Sequence, residues 1–222
     1  MKIKINFIDS ILDFDTSNIY AFELYNKKYL YRISDLFYKA SKGEISEEIK
    51  LFKGLEEINI SNKVKFFTNY FDFDYKQYSP DILKYVNKNI EETNQENIIK
   101  QYYKFINKIK SELASLELPI KIKEYESIEE ILKSTKLYID QKEYLLDNLL
   151  LLIDIEKELH INNILCFLNL KSYLNELELK EFYKYAIYNN IRIIMIDLKE
   201  QLHIKNYEKI IVIDENLDEN MI

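Results

Sequence analysis

The stretch NILCFLNLKSYLNELELK, residues 163–180, decides the fold. Asn163 to Leu170 form a compact apolar run of the length of a buried strand, and the residues after it open a helix expected over 175–189. A buried strand feeding a helix is the repeating unit of an α/β sheet. In α/β proteins that hold nucleotides, the turn between the two carries glycines that let the backbone approach a phosphate. None stands here. Gly43 and Gly54 are the only glycines in the chain, and neither has phosphate-loop or dinucleotide spacing. The sequence therefore argues against a conventional ATPase or dinucleotide enzyme, and no nucleotide cofactor is expected.

Outward from that stretch, IRIIMIDL (191–198) and KIIVID (209–214) read as further buried parallel strands of the same sheet. Alternation and short apolar runs predict additional strands at 2–8, 18–24 and 63–69. Helical spacing marks 29–42, 79–92, 95–116, 127–134 and 141–160. Ser79-Pro80-Asp81 suits a helix start, and Ser127 with Glu130 makes a capping box. PIKIKEY (119–125) alternates like a short strand, with KLYID (136–140) as its partner. The expected architecture is an α/β head with a mainly parallel sheet, built from 1–94 and 161–222, and an inserted, mostly helical leg at 95–160. The polar stretch ETNQEN (92–97) is the expected hinge. In the helix YLLDNLLLLIDIEKEL (144–159), apolar residues cover far more than one stripe. Such a helix is buried on two sides, either within its own chain or against a second copy.

Hydrophobic residues make up 47% and charged residues 31% of the 222, as in a globular chain. MKIKINFIDS turns polar and acidic at once, which predicts no signal peptide. The longest uninterrupted apolar run, Leu149–Ile153, is too short to span a bilayer. A single cysteine, Cys166, allows no internal disulfide and fits a reducing cytoplasm. The net charge of −7 is spread so that no segment is basic overall. A nucleic-acid site must then come from one local face, or from one face repeated by oligomerisation.

Few residues offer chemistry. His160 and His203 have no partner at zinc spacing, and both are expected in structural or surface roles. Cys166 reads as a small core residue. LDFD and FDFD place Asp13 with Asp15, and Asp72 with Asp74, on one side of an extended segment. Paired carboxylates of this kind hold magnesium in nucleases, with EIK (48–50) or ELK (178–180) supplying a lysine; at strand ends they equally make turns and caps. In IIKQYYKFINKIKSEL (98–113), Lys100, Lys104 and Lys108 recur every fourth residue and share one helical face, while Ile99, Tyr103, Ile106, Ile109 and Leu113 hold the other. Such a row is either a solvated face or a sequence-independent phosphate contact, because lysine delivers point charge without bidentate base reading. Arg32 and Arg192 are the only arginines, which argues against base-specific readout. Lys27 and Lys28, in the turn before helix 29–42, are candidates of the same kind.

The order of these parts resembles a known family. An α/β start, a long helix, PIKIKEYESIEEILKSTKLYID (119–140), a second apolar helix, NILCFLNLKSYLNELELKEF (163–182), and a closing IRIIMIDLKEQL with KIIVIDENL are similar to the small CRISPR-associated protein specific to type II-A systems, which assists acquisition of new spacers. The resemblance covers the whole chain as a pattern rather than through one diagnostic motif. It implies a head related in fold to P-loop NTPases without their nucleotide machinery, and a non-enzymatic homotetrameric ring around double-stranded DNA, preferentially at its ends. By the same resemblance the adaptation integrase and the effector nuclease are partners, no membrane is involved, and Lys27, Lys28, Lys100, Lys104 and Lys108 contact phosphate. It also implies calcium held by acids near the junction of leg and head, here Glu112, Glu117, Glu124 and Glu126. This region is less densely acidic than the family's pattern. The rival readings are a metal-dependent nuclease using Asp72 and Asp74, and a structural protein-interaction module using helix 141–160.

Overall fold

The computed structural model describes every residue except Asn62, Glu91, Glu117, Lys136, Glu200, Gln201 and Lys205, together with the side chains of Glu92 and Thr93. The strands are β1 (Lys2–Ile5), β2 (Leu12–Asp13), β3 (Ile19–Leu24), β4 (Ile49–Lys53), β5 (Glu56–Ile58), β6 (Val64–Phe67), β7 (Ile164–Leu168), β8 (Arg192–Leu198), β9 (Lys209–Ile213) and β10 (Glu219–Met221). The helices are α1 (Lys27–Ser41), α2 (Ser79–Asn89), α3 (Glu92–Leu113), α4 (Ile128–Ser134), α5 (Leu145–Glu158) and α6 (Glu176–Tyr188). Short 3₁₀ turns lie at Tyr75–Tyr78 and Leu170–Tyr173.

The run at 163–170 becomes β7, inside a six-stranded sheet of order β10-β9-β3-β8-β7-β6. All pairings are parallel except that of β10 with β9, so the architecture is α/β with a mixed sheet. Phe22 of β3 lies opposite Ile196 on β8 and Ile211 on β9, and Cys166 lies opposite Ile194. Burial on both faces explains why these strands read as continuous apolar runs. One face meets α1 and a second, antiparallel sheet of order β2-β1-β4-β5, with Ile3, Ile5, Leu51, Ile33, Phe37 and Phe22 in a common core. Toward α6, Phe167 stacks on Phe67 at 5.2 Å and meets Phe182 edge-on at 5.6 Å.

The contacts divide the chain into two units, Met1–Asp74 with Gln141–Ile222, and Tyr75–Asp140. The expected boundaries at 94 and 161 are thereby displaced at both ends. At the first, α2 packs on α4 and so falls within the inserted unit. At the second, α5 packs on α6, and Tyr185 donates to Asp154 Oδ1 at 2.6 Å. That packing also accounts for much of the wide apolar surface of α5, since Leu149, Leu152, Ile153 and Ile155 are buried within this chain. The strands expected at 119–125 and 136–140 do not form among the described residues; Pro119, Ile120 and Lys121 lie exposed, without a core for alternation to face. No helix of the described residues is long and apolar enough to cross a membrane.

Candidate nucleic-acid interface

The lysine row lies on α3, in the inserted unit. Ile106 is buried and Ile99, Tyr102, Tyr103 and Ile109 are half-buried, which fixes the opposite face outward. The Tyr125 backbone N–H donates to the Tyr102 hydroxyl at 3.1 Å, holding the segment before α4 against α3. Ser127 caps α4 by accepting from the Glu130 N–H at 3.2 Å. The Glu130 carboxylate accepts in turn from the Glu126 N–H at 3.0 Å, and that bond holds its pKa below the usual range.

Lys100, Lys104 and Lys108 are all exposed, and none of their ammonium groups has a partner among the described residues. At 1.5 Å rise per residue they stand about 6 Å apart along the helix. Exposed Asn97, Gln101 and Asn107 lie among them, so the face offers amide donors beside the cations. Lys110 behaves differently. It turns to Glu124, Nζ to Oε1 2.6 Å, and its charge is locally neutralised. Lys27 and Lys28 are not in a turn before the helix, as expected, but are the first two residues of α1; both are exposed, and the Asn26 side chain caps the helix by accepting from the Lys28 N–H at 2.9 Å.

The acids implied for calcium do not assemble. Glu124 is committed to Lys110, Glu112 and Glu126 are exposed, and Glu117 lies outside the described residues. Among the described residues no group of three His, Cys, Asp or Glu side chains could hold a metal ion. Asp72 and Asp74 come together with Tyr38, Lys42, Phe66 and Asn69 around a small cavity of about 170 Å³, without a third carboxylate. The Asn69 side chain accepts from the Phe71 and Asp72 N–H groups, which is turn chemistry.

The glycine-free turn lies outside the carboxyl ends of the parallel strands, where an α/β sheet of this kind would take a ligand. After β7, Asn169 adopts the left-handed conformation that glycine usually fills, at φ 56°. Its side chain accepts from the Leu198 N–H at 3.3 Å. The chain then tucks Lys171 inward at 3% exposure, with its Nζ 2.8 Å from Glu208 Oε2. Tyr183 donates to the same oxygen at 2.9 Å, and the Ile204 N–H to the other at 2.9 Å. His203 pairs with buried Glu23 at the end of β3, and Asp197 of β8 is fully buried beside them. These residues are scattered over the sequence, and parallel strand order brings them together. His203 is therefore a structural anchor rather than an unengaged loop residue.

No family model and no curated protein matches the chain. Among solved structures, Stu0660 of Streptococcus thermophilus aligns with a TM-score of 0.59 over 96% of this chain and 74% of its own, at 13% sequence identity. At that identity the likeness shows the fold alone: the chain shares the α/β architecture of Stu0660.

Proposed function

We propose that this protein is a non-enzymatic, sequence-independent binder of double-stranded DNA that works as a homotetrameric ring in spacer acquisition by a type II-A CRISPR system. One observation carries the reading: the solvent face of α3 holds three exposed lysines with no ion-pair partner among the described residues. Unpaired cations at helical spacing attract a polyanion without reading its sequence, and their release of counterions makes binding depend steeply on salt.

Charge distribution supports the same reading. Residues 1–74 and 141–222 carry 27 acidic and 20 basic side chains, whereas 75–140 carry 11 of each. All the negative excess thus belongs to the first unit, and the unit with the lysine row does not repel DNA overall. Assembly has its own support. Among its described residues, the second unit buries only Tyr75, Tyr78, Ile106 and Ile128 as large apolar side chains, yet exposes Phe105, Leu116, Leu118, Ile120 and Tyr138. A unit with so small a core is stabilised when another surface covers it.

The test is the triple variant Lys100→Glu, Lys104→Glu, Lys108→Glu, assayed by gel shift on duplex DNA and by mass in solution. Loss of DNA binding with an unchanged tetramer is expected. Undiminished affinity at moderate salt overturns the assignment of the lysine row, and a monomer under every ionic condition overturns the ring.

A further inference from the structure

The cluster at the carboxyl ends of β3, β7 and β8 takes no part in the proposed DNA contact, yet it gathers charged groups in a nearly solvent-free place. Glu23 comes from β3, Asp197 from β8, Lys171 from the turn after β7, Tyr183 from α6, and His203 and Glu208 from the segment before β9. Tyr70, after β6, faces the same group and donates to the Leu168 carbonyl at 2.8 Å.

Two of the three carboxylates have cations at contact distance: Glu23 has His203, which is charged only while protonated, and Glu208 has Lys171. Asp197 is left over. Neither of its oxygens makes a hydrogen bond of good geometry and both are cut off from solvent, although the Lys171 backbone N–H lies near enough to favour the charged form. The Lys171 ammonium is close to Glu208 by distance but off the direction of a good hydrogen bond, so that pair is not fully satisfied. An isolated carboxylate in such a place is costly and takes a proton instead.

We propose that this cluster is a proton-linked switch in which Lys171 is shared: while Asp197 is protonated the ammonium belongs to Glu208, and once that proton has left, two carboxylates compete for one ammonium. The Asp197 O–H bond breaks, its electron pair stays on the carboxylate, and the proton goes to water. Losing the Asp197 proton adds negative charge to a site that already holds Glu23 and Glu208. Burial, reinforced by Glu208 and Glu23, pushes the Asp197 carboxyl up to about 7, against the pull of the Lys171 ammonium. Because Glu208 also holds the Ile204 N–H and the Tyr183 hydroxyl, a change of Lys171 partner is felt in both.

The wild-type protein tests this by nuclear magnetic resonance without any substitution. The Asp197 carboxyl carbon is expected to titrate near neutrality, with the Ile204 amide signal moving at the same midpoint. In Asp197→Asn the Ile204 step disappears. The folding equilibrium supplies a second readout. A raised native pKa stabilises the protonated protein, and that advantage is lost as pH climbs from the unfolded value to the native one. The folding constant of Asp197→Asn relative to wild type should therefore rise about tenfold per pH unit between about pH 4 and pH 7, to roughly a thousandfold, and stay level above. An Asp197 carboxyl already ionised at pH 5, an Ile204 step that survives the substitution, or a folding ratio independent of pH each overturns the proposal.

Discussion

Replacing Lys104 with alanine removes the middle cation of the α3 row and nothing that holds the helix in place, since the side chain is exposed and no hydrogen bond or ion pair engages its ammonium. In a ring of four copies the change deletes four positive charges at once. Each phosphate contact contributes about 0.9 to the slope of log affinity against log salt, so the slope becomes shallower by up to about 3.6. Between about 50 and 200 mM salt, wild-type affinity then falls by up to roughly 150-fold more than that of the variant. Fluorescence anisotropy of a labelled duplex of arbitrary sequence, titrated across that range, reads the slope directly. Lys110→Ala is the internal control, because Lys110 sits on the same helix with its charge already matched by Glu124 at 2.6 Å. Its slope should stay near that of wild type. A Lys104→Ala slope equal to wild type, or a Lys110→Ala slope lowered as much as that of Lys104→Ala, refutes the reasoning.

Other outcomes concern the scaffold. Phe167→Ala should lower the unfolding free energy by about 3–5 kcal/mol in urea titrations, because the ring is fully buried between Phe67 and Phe182. At Asn169, whose φ is 56°, alanine should be less stable than glycine by about 1 kcal/mol, a comparison that isolates the backbone since both lose the side-chain bond to Leu198. Glu219→Ala should cost about 1–3 kcal/mol, read from the urea midpoint, because its two oxygens accept from the Asp9 and Ser10 N–H groups at 2.7 Å each.

Long apolar runs and strong helical spacing were legible in the sequence. The stretches 18–24, 163–170 and 191–197 lie on β3, β7 and β8, with shifts of no more than two residues at their ends. The β4–β5 hairpin escaped notice, although Ile49 and Leu51 alternate inward and Gly54 takes the turn at φ 64°. Its signal is short and half polar, and charged residues dominate its second strand. The opposite error arose at 119–125, where Ile and Lys alternate but no neighbouring strand pairs with them. The lysine row was readable because three residues on one helix carry it. The Glu23–Lys171–Asp197–Glu208 cluster was not, since its members are local to nothing in sequence and meet only through strand order. Nothing local marks Lys171, just beyond a strand, as a buried lysine; its partner Glu208 is 37 residues farther along.

The position of β3 in the middle of the sheet has a consequence for how the chain matures. Its two neighbours are β8 and β9, so Ile19 waits for Ile193, and Tyr20 for Lys209. During synthesis this fully buried strand emerges early and has no edge to join until most of the polypeptide has left the ribosome. The antiparallel sheet can form first, covering one side of β3 with Ile3, Ile5 and Leu51 while the other side and both edges remain bare. Nascent molecules are therefore most prone to stick to one another just before the last third of translation is complete, and slower elongation there lengthens that exposure.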